Sequence, residues 1–88
     1  MLKEWLRRQL SIEGAEKEHM VINDYWPEGK PFGFVADEWQ EILAQIQPGD
    51  ELCEYRSDEE SWDELMGWEG VVLMRSGEMI NSICTKMN

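Results

Sequence analysis

Eighty-eight residues carry 19 acidic side chains against 8 basic ones, for a net charge of −11, in a chain that is 42% hydrophobic. A field of that sign repels nucleic acid and anionic membrane and attracts cationic surfaces. The length suits one domain with a small core, in which about 60–65% of the unfolded surface is buried, and no apolar run approaches the ~18 residues needed to cross a membrane.

Residues 1–8 bear positive charge without an uninterrupted apolar stretch, which argues against a secretory signal. Leu2, Trp5, Leu6 and Leu10 fall at helical spacing, so a short amphipathic helix is predicted over residues 2–10. Lys3, Arg7 and Arg8 lie off its apolar stripe, and the two arginines suit the negative end of a helix dipole. Gly14 is expected to interrupt this helix. Met20–Ile22 suits either a short strand or a docking loop. Residues 26–34, with two prolines and two glycines, are expected to be irregular.

A second helix is predicted from Asp37, an N-cap with Gln40 placed to reach back to it. Trp39, Ile42, Leu43 and Ile46 repeat at i, i+3, i+4 and i+7 and define one buried face, and Pro48-Gly49 ends the helix. Leu52–Arg56 follows as a strand, with Cys53 and Tyr55 on one side and Leu52, Glu54 and Arg56 on the other. Ser57 with Glu60, or Ser61 with Glu64, has capping-box spacing, so a third helix starts at one of these serines. It is expected to bury Trp62, Leu65 and Met66 and to end near Gly67. Residues 71–75 and 78–85, joined by Ser76-Gly77, are predicted as a β-hairpin. The fold class is therefore α+β: a three-stranded, mostly antiparallel sheet with helices on one face, in the order α-α-β-α-β-β.

The charge is concentrated. From Asp50 to Glu69 there are nine acidic residues and one basic residue, Arg56. Carboxylates on a rigid strand and helix could dock on a basic protein, even in the place of DNA. Glu51, Glu54, Asp58, Glu59, Asp63 and Glu64 are the candidates, with Trp68 in the adjoining loop as an aromatic anchor. The plainer account is local: acids at a helix N-terminus contribute about 0.3–1 kcal/mol each through the dipole, and an acidic surface keeps a small protein soluble.

The remaining candidates are weaker. Trp26, Phe32 and Phe34 either line an apolar pocket or pin a long loop to the domain. His19 is the only histidine and stands in a polar stretch. No metal-ligand spacing, phosphate loop or nucleophile elbow is present, so no cofactor, metal or catalytic residue is expected. A glycosidase-type carboxylate pair needs a cleft that raises one pKa, and a chain this short has little room for one. Lys3, Arg7 and Arg8 are too few to hold nucleic acid. Cys53 and Cys84 are expected as free thiols.

Residues 48–88, through Gly49-Asp50-Glu51-Leu52, Glu54, Ser61-Trp62, the terminal hairpin and Met87-Asn88, resemble a group of small acidic bacterial proteins. That group shares a Gly-Asp-Glu-Leu-x-Glu run, a Ser-Trp pair and a C-terminal hairpin. The resemblance implies a bacterial or phage protein of the cytoplasm and transfers no catalytic residue. It also implies that Cys53, at a position often aromatic in the group, serves packing.

The function expected from these features is a small non-enzymatic binding module that engages a basic protein partner, of the immunity, antitoxin or nucleic-acid-enzyme inhibitor kind. The alternative is a homo-oligomeric structural or accessory protein, a homodimer for instance, joined through Met74, Met79, Ile83 and Met87 of the hairpin.

Overall fold

A computed structural model of the chain describes residues 3–87, Lys3 by its backbone alone. Leu2, which the helical stripe included, and Asn88 lie outside the described residues. The front of the molecule differs most from expectation. Lys3–Trp5 form one 3-10 turn, and Leu6–Leu10 form a strand, β1, rather than a helix. β1 pairs antiparallel with β4 (Glu51–Arg56), and its register slips between Leu6 and Arg8. The bulge sends Leu6 to one face of the sheet and Leu10 to the other.

Gly14 lies inside a helix rather than ending one. Ser11 caps α1 (Ile12–Glu18) by accepting from the Gly14 N–H at 2.9 Å, and a side chain at residue 14 would press on that hydroxyl. Met20–Val21 (β2) and Lys30–Pro31 (β3) pair as a separate two-stranded clasp at the base of the irregular loop. A 3-10 turn over Gly33–Val35 runs directly into α2 (Ala36–Gln45). Asp37 is therefore not the N-cap. Val35 occupies that position without a side-chain bond, and Asp37 and Glu38 sit in the first turn, where their charge suits the dipole.

The main sheet has four strands in the order β1-β4-β5-β6, antiparallel throughout, with β5 at Trp68–Arg75 and β6 at Glu78–Met87. The hairpin turn is Ser76-Gly77, at φ 51° and 82°, the pair of positive φ angles that a two-residue type I′ connection requires. The class is α+β as expected. The sheet gains a fourth strand, and the chain order is β-α-β-β-α-β-α-β-β.

Strand alternation divides the core. One face of the sheet carries Leu52, Val71, Leu73 and Ile83, packed with Ala15, Phe32, Trp39 and Ile42. Leu43 and Ile46 lie partly buried at its margin, completing the face predicted for α2. The Trp39 indole donates to Glu16 at 2.9 Å and stacks on Phe32 at 4.5 Å between centroids. The other face carries Cys53, Tyr55, Val72 and Met74, with Trp5 and Leu6 against them; α1 and α2 contribute only to the first cluster. The molecule measures 37 × 35 × 17 Å, and its short dimension suits one sheet and one helical layer about 10 Å apart.

Two close contacts fix the sheet. Arg75 donates to both oxygens of Asp50, at 2.9 and 2.8 Å, and to the Gln45 carbonyl, tying the end of α2 to β4 and β5. Arg75 holds the Asp50 carboxyl below its ordinary range. Gly70 stands opposite Tyr55, whose hydroxyl donates to the Ile83 carbonyl at 3.2 Å; a Cβ on Gly70 would lie 1.9 Å from that same oxygen. β6 is an edge strand with two register shifts, opposite Glu69/Gly70 and Leu73/Met74. Of the four apolar residues expected to pair with another copy, Met74 and Ile83 are buried in the core, and only Met79 and Met87 are exposed. Among the described residues no helix is long and apolar enough to cross a membrane. Cys53 and Cys84 are free thiols.

Candidate functional site

The site is built around α3 (Glu59–Asp63), the short helix between β4 and β5. Neither serine caps it. Asp58 does, accepting from the Ser61 N–H at 2.8 Å and the Ser61 hydroxyl at 2.7 Å, and these bonds lower its pKa. Ser57 is buried instead. Its hydroxyl accepts from the Trp68 N–H at 3.0 Å, and its N–H donates to the Trp68 carbonyl, which zips β5 to the end of β4. Trp62 anchors the helix only half-buried. Arg56 lies 4.2 Å from the centre of its ring, and the ring fills the space that a side chain at Gly67 would need.

Glu64 and Leu65 follow the helix as its C-cap and C′ residues. Leu65 N–H donates to Trp62 O at 3.2 Å and Met66 N–H to Ser61 O at 2.7 Å, the bond pair of a Schellman motif. That motif puts Leu65 at φ 60°, a left-handed position usually given to glycine. Leu65 and Met66 do not enter the core as predicted; they are 72% and 61% exposed.

Beyond them lies an apolar groove of about 360 Å³ lined by Leu65, Met66, Gly67, Trp68, Cys84 and Met87. Trp68 is 51% exposed and Met87 75% exposed, and the Trp68 ring leans on Trp5 at 6.2 Å between centroids. The groove opens on the sheet face that lacks α1 and α2.

The acidic candidates separate into two groups. Glu54 is not part of a free face: it accepts from Arg8, which also pairs with Glu18, on the helix-covered side of the sheet. Asp58 is used in capping, and outside the candidate set Asp50 and Glu69 hold Arg75 and Arg56. Glu51 is exposed on the open face but at the far end of β4, beside a hollow of about 400 Å³ that includes Cys53 and Met74. Glu59, Asp63 and Glu64, joined by Glu60, are exposed along α3, and the ion pairs among the described residues leave all four out. The proposed surface therefore contracts to α3 and Trp68. In the sequence only Leu65-Met66 beside a chain of carboxylates marks the groove, and the same pair has the composition of a helix core.

The other candidates resolve plainly. Phe32 pins the loop, stacked between His19 at 4.9 Å and Trp39, whereas Trp26 and Phe34 meet Tyr25 in an edge-on cluster outside the core. His19 Nε2 is buried without a hydrogen-bond partner, and burial lowers its pKa against the raising effect of Glu18, Glu54 and Glu69. Among the described residues no group of three or more His, Cys, Asp or Glu side chains is arranged to hold a metal ion. Comparisons with protein-family models, with curated proteins and with solved structures return no match for this chain.

Proposed function

We propose that the chain is a non-enzymatic protein-binding module of the cytoplasm whose acidic α3 face docks on a basic partner, in the manner of an immunity protein, an antitoxin or an inhibitor that occupies a nucleic-acid enzyme. The observation that carries this reading is the C-terminal end of α3. Dipole physics accounts for Glu59 and Glu60 in the first turn. It does not account for Asp63 and Glu64, whose charge meets the negative end of the helix with no basic residue in the last turn. Those two carboxylates oppose the dipole, and the exposed leucine that follows sits at a positive φ that costs a non-glycine residue. Features that oppose local stability concentrate where a surface works.

The test is capture of binding proteins from the native host extract on the immobilised chain, beside a variant with Glu59→Gln, Glu60→Gln, Asp63→Asn and Glu64→Gln. Basic proteins should be retained at low salt and released as ionic strength passes about 0.15 M, where charges are screened over about 8 Å. The variant should retain fewer of them. Equal retention by the two proteins, or retention that is flat with salt, would remove the electrostatic account. Self-assembly through β6 is the lesser reading: of Met74, Met79, Ile83 and Met87, only Met79 and Met87 lie outside the core, and copies of net charge −11 repel.

A further inference from the structure

We infer that the groove beside α3 is the slot for a large apolar side chain on a cationic amphipathic segment of the partner; this rests on the proposed acidic docking face. Contiguous apolar surface of this kind, edged by charge, is the usual mark of a contact site. Leu65, Met66, Trp68 and Met87 surround it, all more than half exposed. Trp68 offers the broad ring that most often anchors an interface, and two methionines adapt their shape to an incoming side chain.

The occupant follows from charge. Asp63 and Glu64 immediately precede the groove and are exposed. Among the described residues the nearby cations are engaged elsewhere. Arg7 donates to the Glu4 and Arg56 carbonyls. Arg56 is engaged by Glu69 and by the Trp62 ring. Lys86 stands opposite Glu69 and points away from the side of β6 that carries Met87. An apolar slot bordered by the exposed carboxylates of Asp63 and Glu64 accepts lysine or arginine around a leucine, phenylalanine or methionine. It disfavours a second copy of this chain and an anionic lipid surface alike.

Leu65 is the residue that tests this most sharply. Its left-handed backbone is a position where glycine or asparagine is at ease. Leu65→Gly and Leu65→Asn should therefore fold at least as stably as the parent while removing the apolar wall.

The probes are a synthetic leucine-lysine amphipathic helix of about fourteen residues and an oligolysine of equal charge, titrated while amide shifts and Trp fluorescence are followed. The amphipathic peptide should move the resonances of Leu65, Met66, Trp68 and Met87, and either Leu65 variant should weaken it about tenfold. Oligolysine should bind weakly, follow salt, and not distinguish the variants from the parent. Equal affinity of the amphipathic peptide for parent and variants would overturn the slot and leave the charged face standing. Failure of both peptides, or binding indifferent to salt, would overturn the charged face as well. Concentration-dependent shifts without any peptide would identify a second copy as the occupant and refute the proposal.

Discussion

Gly70→Ala sets two opposing effects against each other. Away from special backbone angles, replacing glycine by alanine stabilises a fold by about 0.4–1 kcal/mol, because the unfolded chain loses freedom. At residue 70 the new methyl carbon would lie 1.9 Å from the Ile83 carbonyl oxygen and 3.0 Å from the Tyr55 hydroxyl. An ordinary carbon–oxygen approach is about 3.3–3.6 Å, so that carbonyl must retreat by roughly 1.5 Å. The displaced oxygen is main chain on β6 and is the acceptor for Tyr55. Overpacking of this sort costs about 1–3 kcal/mol, and a buried hydroxyl left without its acceptor costs about 1–3 kcal/mol more. The expected loss is about 1–5 kcal/mol net of the entropy gain, against the roughly 5–15 kcal/mol that holds a small domain. Urea denaturation monitored by Trp fluorescence gives the value from the shift in midpoint at constant slope.

The mechanism is separable from mere crowding. In a Tyr55→Phe background the hydroxyl is already gone, so Gly70→Ala should cost only the overpacking part. The coupling between the two changes should be about 1–3 kcal/mol. A Gly70→Ala variant within 1 kcal/mol of the parent (about a fivefold change in the unfolding constant) would refute the close approach, and additive effects would refute the role given to the Tyr55 bond.

Three further perturbations address other parts of the fold. Trp39→Ala empties the centre of the α2 face, where Trp39 is fully buried and stacked on Phe32, and should lower unfolding free energy by about 3–5 kcal/mol; calorimetry showing an unchanged melting point would contradict the core assignment. Gly77→Val leaves the space around the turn open but forces φ 82° on a branched residue, so it should cost about 1–2 kcal/mol through backbone strain alone; an unaltered urea midpoint would refute it. Because burial lowers the pKa of His19 from 6.5, the folded state binds a proton less readily than the unfolded chain, and stability should fall as pH drops below 6.5. His19→Gln should flatten that slope near pH 6, measured by urea midpoints across pH; a variant with the parent's slope would assign the effect to other groups.

How far the sequence could be read depended on whether local pattern and tertiary pairing agreed. α2 and the hairpin were legible because their apolar spacing and the Ser76-Gly77 turn point to the same structure as the packing does. β1 was not, since its bulge at Arg7 breaks the period-two alternation and leaves Leu6 and Leu10 imitating a helical i, i+4 pair. α1 was hidden because Gly14 signals a break, while its actual use is to make room for the Ser11 cap. The acidic run was visible as charge, but sequence does not show that Glu54 turns to Arg8 or that Asp58 is absorbed in capping. The groove stayed invisible for a related reason. Leu65 and Met66 have core composition, and only the left-handed turn after α3 sends them outward.

The irregularities of β6 have a bearing on what the chain does when crowded. A long, flat, sparsely charged border invites further molecules to add strand by strand, and such growth ends in fibres. Here the even register against β5 lasts only over Asn81–Cys84 before each kink. The two kinks of β6 therefore limit strand addition at this edge through the backbone, a restraint that does not depend on the charge of the carboxylates.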